Sequence, residues 1–218
     1  MTNWAFVSDF DGTISQKDFY WIVIEKYFPE GEALYHKWQN GEMKDIDFLN
    51  TVFASIGQPE ETIKQDIAGI PLDPHVKPFI EQIKKAGGDF IIISAGCEYY
   101  IHELLALAGI HDVPVYSNPG HVENGGLHLT PDPADRFYHE RYGIDKKAVM
   151  QELGSRYDTL FFAGDSEPDS HPASLATVTY AMKKLPPILD RMGTPYEKAD
   201  DFSDIASDLK KRGVLDRS

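Results

Sequence analysis

The chain has 218 residues, 42% of them hydrophobic, which suffices for one α/β core carrying an inserted subdomain. Its formal net charge of −14, with no basic stripe, argues against nucleic acid as a partner. No apolar run approaches the roughly 20 residues that cross a bilayer, a strand begins too early to leave room for a signal peptide, and a single cysteine excludes an internal disulfide, so a cytoplasmic location is expected.

The first predicted element is a buried strand, Trp4-Ala5-Phe6-Val7, followed at once by Asp9-Phe10-Asp11-Gly12-Thr13. Alternation along an extended chain puts Asp9 and Asp11 on one side and Phe10 on the other. Gly12 lets the backbone turn and approach a ligand closely. Asp-x-Asp-Gly also occurs in calcium loops, but those need further oxygen ligands at alternate positions and a closing Glu. Ile14, Ser15, Gln16 and Lys17 follow here, and the calcium reading fails. Residues from about Asp18 to Gly69 then show helical periodicity: Phe19-Tyr20-Ile22-Val23-Ile24-Tyr27, Leu34-Tyr35-Trp38 and Ile46-Phe48-Leu49-Val52-Phe53. Turn signals at Pro29-Glu30-Gly31, Asn40-Gly41 and Gly57-Gln58-Pro59 divide them into about four short helices. This predicts a helical cap over 17–71 and a core formed by 1–16 and 72–218.

Beyond Pro71-Leu72-Asp73-Pro74 the pattern alternates as a parallel sheet with crossover helices does. A helix over Pro78 to Ala86 precedes a strand Phe90 to Ile93, ended by Ser94-Ala95-Gly96. A helix from Glu98 to Leu107 stops at Gly109, and a strand Val113 to Tyr116 leads to a hairpin signal, Asn124-Gly125-Gly126, within Gly120 to Thr130. Lys146 stands just before a helix Lys147 to Leu153. The strand Thr159 to Ala163 ends in Gly164-Asp165-Ser166-Glu167-Pro168-Asp169, and one further short βα unit follows.

Four predicted strand ends and helix starts thus bring four carboxylates, a hydroxyl and an ammonium to one edge of the sheet, the composition of a magnesium-assisted phosphoryl-transfer site. Each residue also has a plainer reading. Ser94 alone would ordinarily be a helix N-cap. Either Lys146 or Lys147 is a solvated charge at a helix start, and Asp169 reads equally as an N-cap for a short helix after Pro172. His171 reads as an exposed loop residue, and His121, His128 and His139 are too scattered for a zinc site. Cys97 reads as a packed small residue. Phe19, Tyr20, Trp21, Tyr99 and Tyr100 read mostly as core, with one or two lining an apolar pocket between cap and core.

The ordered set Asp9-x-Asp11-x-Thr13, Ser94, Lys146 and Gly164-Asp165-x-x-x-Asp169 resembles the four motifs of the haloacid dehalogenase superfamily over essentially the whole chain. The helical insertion after the first motif resembles its phosphoserine-phosphatase-like branch. Within that branch the closest likeness is to the methionine-salvage phosphatases acting on 2-hydroxy-3-keto-5-methylthiopentenyl-1-phosphate. The resemblance implies a Rossmann-like doubly wound parallel core and hydrolysis of a small-molecule phosphate ester. It implies Asp9 as nucleophile and Asp11 as acid and base. Mg2+ would be held by Asp9, the Asp11 backbone carbonyl and Asp165, with Asp169 orienting Lys146 or a metal-bound water. The phosphate would meet Thr13, Ser94, Lys146 and the loop residues Gly12, Ala95 and Gly96. Asp18 stands where phosphoserine phosphatases carry a substrate-binding Glu, so it is either a specificity residue or a cap for the first helix. No arginine in the cap matches the one that would hold a substrate carboxylate, which argues against phosphoserine. Phosphoserine phosphatase is nonetheless the alternative within the same chemistry, and a phosphate-binding regulatory protein with a degenerate site is the alternative from another class. Glu167 and Pro168 depart from the family pattern beside the metal loop.

Overall fold

Strand β1 (Trp4–Ser8) is buried at every residue, which explains why its sequence is a continuous apolar run instead of an alternating one. In the computed structural model, which describes residues 3–216, it lies at the centre of a six-stranded sheet. Residues 1, 2, 217 and 218, at the ends of the expected core ranges, lie outside the described residues.

Four helices follow β1: α1 (Phe19–Lys26), α2 (Gly31–Gln39), α3 (Asp45–Ala54) and α4 (Glu60–Ala68). The two chain segments that enter and leave them are zipped together. Gln16 N–H donates to the Pro71 carbonyl at 2.8 Å and Asp73 N–H to the Ile14 carbonyl at 2.9 Å. The core resumes with α5 (Val76–Lys85), β2 (Asp89–Cys97), α6 (Glu98–Leu107) and β3 (Val115–Asn118). Two antiparallel ribbons come next, β4 (Gly120–Glu123) with β5 (Gly126–Leu129), and β6 (Tyr138–His139) with β7 (Gly143–Ile144). Then follow α7 (Lys146–Gly154), β8 (Thr159–Gly164), α8 (Ser170–Ala173), β9 (Val178–Ala181), α9 (Leu185–Met192), β10 (Glu197–Lys198) and α10 (Phe202–Lys211).

The sheet order is β10-β9-β8-β1-β2-β3, parallel throughout. The chain therefore winds outward from β1 in both directions, and the crevice beyond the carboxyl ends of β1, β2 and β8 is where such sheets place their sites. Alternate residues of β1 serve the two faces. Ala5 and Val7 pack with Ile91, Ile93, Leu160 and Phe162, while Trp4 and Phe6 pack with Phe90, Ile92 and Phe161 on the other side.

Several boundaries differ from the sequence expectation. Strand β2 continues through Ser94 to Cys97, with its register against β3 shifting between Ile93 and Cys97, because Asn118 at the end of β3 reaches back to the Ala95 carbonyl at 2.9 Å. Lys146 is the first residue of α7 and not the residue before it, because the Asp145 carboxylate accepts from Ala148 N–H and caps the helix one position earlier. Two βα units follow β8 instead of one. The β6–β7 ribbon had no sequence signal, since each strand is two residues long. The hairpin at Asn124-Gly125 is as expected: both residues have positive φ, 51° and 80°, as a tight two-residue turn between twisted strands requires.

Phe6 is fully buried, with ring centroids 4.8 Å from Phe79 and 5.7 Å from Phe90. Phe6→Ala should lower the unfolding free energy by about 3–5 kcal/mol in a urea titration. A loss below about 1 kcal/mol would contradict this placement of the core.

Candidate active site

Lys146 Nζ is the organising group of the crevice. It donates to Asp9 Oδ1 at 2.6 Å and to Asp169 Oδ1 at 2.8 Å, and the three residues are 5%, 3% and 0% exposed. Burial alone would lower the ammonium's affinity for its proton, but the Asp169 and Asp9 carboxylates reverse that and hold it well above its ordinary value. Lys147, next along the helix, is exposed.

Asp9 sits one residue past β1, fixed by its own N–H donating to the Ala163 carbonyl at 2.9 Å and by Thr13 Oγ1 donating to Asp9 Oδ2 at 3.1 Å. Burial, then Asp169, pushes its carboxyl up to about 7 against the opposing pull of Lys146. Asp11 faces a different set of partners. Its Oδ2 accepts from Tyr100 Oη at 2.6 Å and Ser94 Oγ at 3.3 Å, and burial, then Asp18, pushes the carboxyl up to about 8.

Asp165 lies beside Asp9 and Asp169, with carboxylate oxygens of the three within 4.8 Å of one another. Burial, then Asp9 and Asp169, raises its carboxyl well above the usual range. Its Oδ1 is buried without a hydrogen-bond partner among the described residues. The Asp169 carboxylate is already engaged on both oxygens, taking Lys146 on Oδ1 and the N–H groups of Asp165 and Ser166 on Oδ2 at 2.9 and 3.1 Å. It stands at the N-cap position of α8, but its side chain folds back onto the loop and does not cap that helix.

Two glycines allow this crowding. Gly12 has φ +84°, and a Cβ there would fall 2.2 Å from Asp165 Oδ2. A Cβ on Gly96 would fall 1.8 Å from the Tyr100 hydroxyl and 2.3 Å from Asp11 Oδ2. The N–H groups of both are committed within the protein, Gly12 to Ser15 Oγ at 3.2 Å and Gly96 to Ser94 Oγ at 3.0 Å. Their part in the site is therefore to leave room.

These groups open onto a cavity of about 530 Å³ between the sheet edge and the four-helix insertion. Tyr20, Trp21, Tyr35 and Trp38 line its far wall, and Asp18, Ala95, Arg141, Glu167 and Lys183 line its rim. Asp18 is at the N-cap of α1 without a side-chain capping bond. Glu167 turns toward Tyr142, whose hydroxyl donates to its Oε2 at 2.7 Å. Burial would raise its carboxyl, but His171, Tyr142 and Arg141 outweigh burial and hold it below the usual value. His171 lies 3.2 Å from the Tyr142 hydroxyl in a small side cavity. Cys97 is buried and its thiol is pushed up to about 12, mainly by burial, which leaves it unreactive.

Sequence reasoning missed Arg141, Tyr142 and Lys183, and it read Tyr100 as core or pocket lining without its bond to Asp11. Tyr100 falls in the first turn of α6, six residues after Ser94, which is a spacing a core aromatic also satisfies. Lys183 follows β9 with φ +46°, and its Nζ lies 4.0 Å from Asp165 Oδ2; an unusual backbone angle is not legible in sequence.

A central parallel sheet thus carries paired acids beyond β1, a hydroxyl at β2, a buried lysine at α7 and two acids after β8, an arrangement with the fold of the haloacid dehalogenase-type hydrolases. The family profile described as Putative Phosphatase matches residues 5–185, so the chain belongs to that family. Among its relatives is a 2-hydroxy-3-keto-5-methylthiopentenyl-1-phosphate phosphatase from Bacillus thuringiensis subsp. konkukian. It is 25% identical over 206 residues, covering 93% of this chain and 94% of that one. The phosphatase of the same name from Brevibacillus brevis is 23% identical over 210 residues, with 93% of each chain covered. Among solved structures, a HAD-family hydrolase from Salmonella enterica subsp. enterica serovar Typhi has a TM-score of 0.76 at 16% identity, covering 100% of this chain and 72% of its own. A phosphoserine phosphatase solved as a phospho-aspartyl intermediate analogue has a TM-score of 0.72 at 17% identity, covering 95% and 99%.

Replacing Tyr100 by Phe removes a donor to Asp11 without emptying the core. Charge-assisted hydrogen bonds contribute about 1.5–3 kcal/mol, so Tyr100→Phe should lower kcat by roughly tenfold or more while leaving the circular dichroism spectrum unchanged. An unaltered kcat would show that the phenol does not act on Asp11 during turnover.

Proposed function

We propose that the protein is a Mg2+-dependent phosphatase that hydrolyses a small phosphate monoester through an aspartyl-phosphate on Asp9. The observation that carries this reading is the pair of differently held carboxylates. Asp9 is gripped by Lys146 and Thr13 in the deepest part of the crevice, and Asp11 is held apart from it by Tyr100 and Ser94. That division suits one carboxylate to attack and the other to move protons.

The residues present fit a hard divalent cation. The donors are all oxygen, Asp165 Oδ1 is buried without a hydrogen-bond partner, and four carboxylates face one buried ammonium and the outlying Lys183. Asp9, Asp165 and the backbone carbonyl of Asp11 would hold it. When bound, Mg2+ neutralises charge between the carboxylate nucleophile and the phosphate dianion.

Asp9 attacks phosphorus while the bond to the leaving oxygen breaks, and Asp11 delivers a proton to that oxygen. Asp11 then takes a proton from water as the water oxygen attacks the same phosphorus, releasing inorganic phosphate and restoring the Asp9 carboxylate. Lys146 and Ser94 hold non-bridging oxygens, and Asp169 keeps Lys146 aimed. Tyr100 orients Asp11 between the two steps.

A substrate resembling the methylthiopentenyl phosphate of the curated relatives is favoured over phosphoserine by the cavity's aromatic wall and by its arginine, Arg141, which is already paired with Asp45 and Glu167. The lone buried cysteine, with no disulfide to form, supports the cytoplasm as the working compartment.

The test is phosphate release from a panel of small phosphate esters, with and without Mg2+, by the parent and by Asp9→Asn. The expected outcome is Mg2+-dependent turnover that falls at least about 10³-fold in Asp9→Asn. A folded parent that hydrolyses no ester would favour a regulatory phosphate-binding role instead.

A further inference from the structure

Among the described residues, one arginine lines the cavity, and it comes from the β6–β7 turn and not from the insertion. Arg141 Nε donates to Asp45 Oδ2 at 2.7 Å, and its Nη2 lies 3.3 Å from Glu167 Oε2. Its guanidinium covers the Tyr142 ring at 4.8 Å, and its backbone carbonyl accepts from Ile46 N–H at 3.0 Å. Backbone and side chain together therefore grip the first turn of α3, while the second arm of the guanidinium reaches the loop that carries Asp165. Asp45 is 5% exposed, and burial raises its carboxyl above the usual value against the opposing pull of Arg141 and, more weakly, a hydrogen bond with Trp38.

Helix α3 in turn positions the aromatic wall. Phe48 stacks on Trp38 with ring centroids 4.7 Å apart and meets Tyr20 at 5.3 Å. One planar fork, able to bond two carboxylates in fixed directions, thus ties the helix behind the wall to the loop beside the reacting carboxylates. An arginine reserved for a substrate carboxylate would have to leave two protein carboxylates to serve it.

We propose that Arg141 is a specificity-determining positioning residue that fixes the aromatic wall receiving the leaving group against the carboxylate loop where phosphorus reacts. This rests on the phosphatase reading above. Its effect falls on leaving groups long enough to reach the wall and spares those that are not.

Steady-state kinetics with phenyl phosphate and acetyl phosphate, in Mg2+, separate these cases. The variants are Arg141→Lys, which reaches one carboxylate but cannot fork to two, and the double variant Arg141→Met/Asp45→Asn, which strands no buried charge. The double variant should raise KM for phenyl phosphate about tenfold with kcat changed less than about threefold, and leave kcat/KM for acetyl phosphate within about twofold. Arg141→Lys should give an intermediate KM for phenyl phosphate and keeps the question open to decision if the double variant does not fold. Equal losses on both compounds, or no loss in either variant, would overturn the proposal. A parent that hydrolyses both compounds with unchanged variants removes this inference alone. A parent inactive on both compounds and on every ester of the panel above removes the phosphatase reading and this inference with it.

Discussion

Everything at the carboxyl edge of the sheet depends on one buried ammonium. Four carboxylates converge on this crevice, and at such spacings their mutual repulsion and desolvation would favour protonation or expulsion to water. Lys146, 2.6 Å from Asp9 and 2.8 Å from Asp169, holds two of them in place and joins the end of β1 to the loop after β8. Removing one partner of a buried pair typically costs about 3–5 kcal/mol because the other charge is left alone. On the proposed function, stability and chemistry draw on the same contact: the ammonium that permits burial of Asp9 is also the one assigned to the phosphoryl group.

The second constraint is the source of the cavity's walls. Its floor comes from the carboxyl ends of β1, β2 and β8, its ceiling from the four-helix insertion, and part of its rim from Arg141 in the β6–β7 turn. The ribbons also anchor the insertion. Asn50 of α3 exchanges two hydrogen bonds with the backbone of Leu129, at 2.8 and 3.2 Å, and the Gln58 N–H donates to the Gly125 carbonyl at 3.1 Å. A Cβ on Gly126 would fall 2.9 Å from the backbone of Ala54, so the β4–β5 hairpin needs its glycine to lie flat against α3. The hairpin, conspicuous in the sequence without an evident purpose, is thus a brace for the insertion.

Legibility in the sequence followed the range of the physics. Strands β1 and β8 and the helix Glu98–Leu107 were readable because continuous apolar runs and helical spacing are local properties. The acids after β1 and β8 were readable because order and spacing at strand ends are local too. Tyr100 was not, since a phenol pointing into a core and one pointing at Asp11 differ only in which helix face meets which loop. Arg141 was hidden for a stronger reason: its ribbon has two-residue strands, and its partners Asp45 and Glu167 lie 96 and 26 residues away along the chain. Glu167, a departure from the family pattern in sequence, is accounted for by its partners Tyr142, Arg141 and His171.

The central claim is that Asp9 receives the phosphoryl group in a crevice built by Lys146, Asp165 and Asp169. A crystal structure of the protein with Mg2+ and beryllium trifluoride, a mimic of a phosphorylated carboxylate, tests it most directly. The account predicts the trifluoride bonded to an Asp9 carboxylate oxygen, Lys146 and Ser94 on its fluorines, and Mg2+ against Asp9 and Asp165. A trifluoride on another residue, or Mg2+ bound away from Asp165, would contradict it.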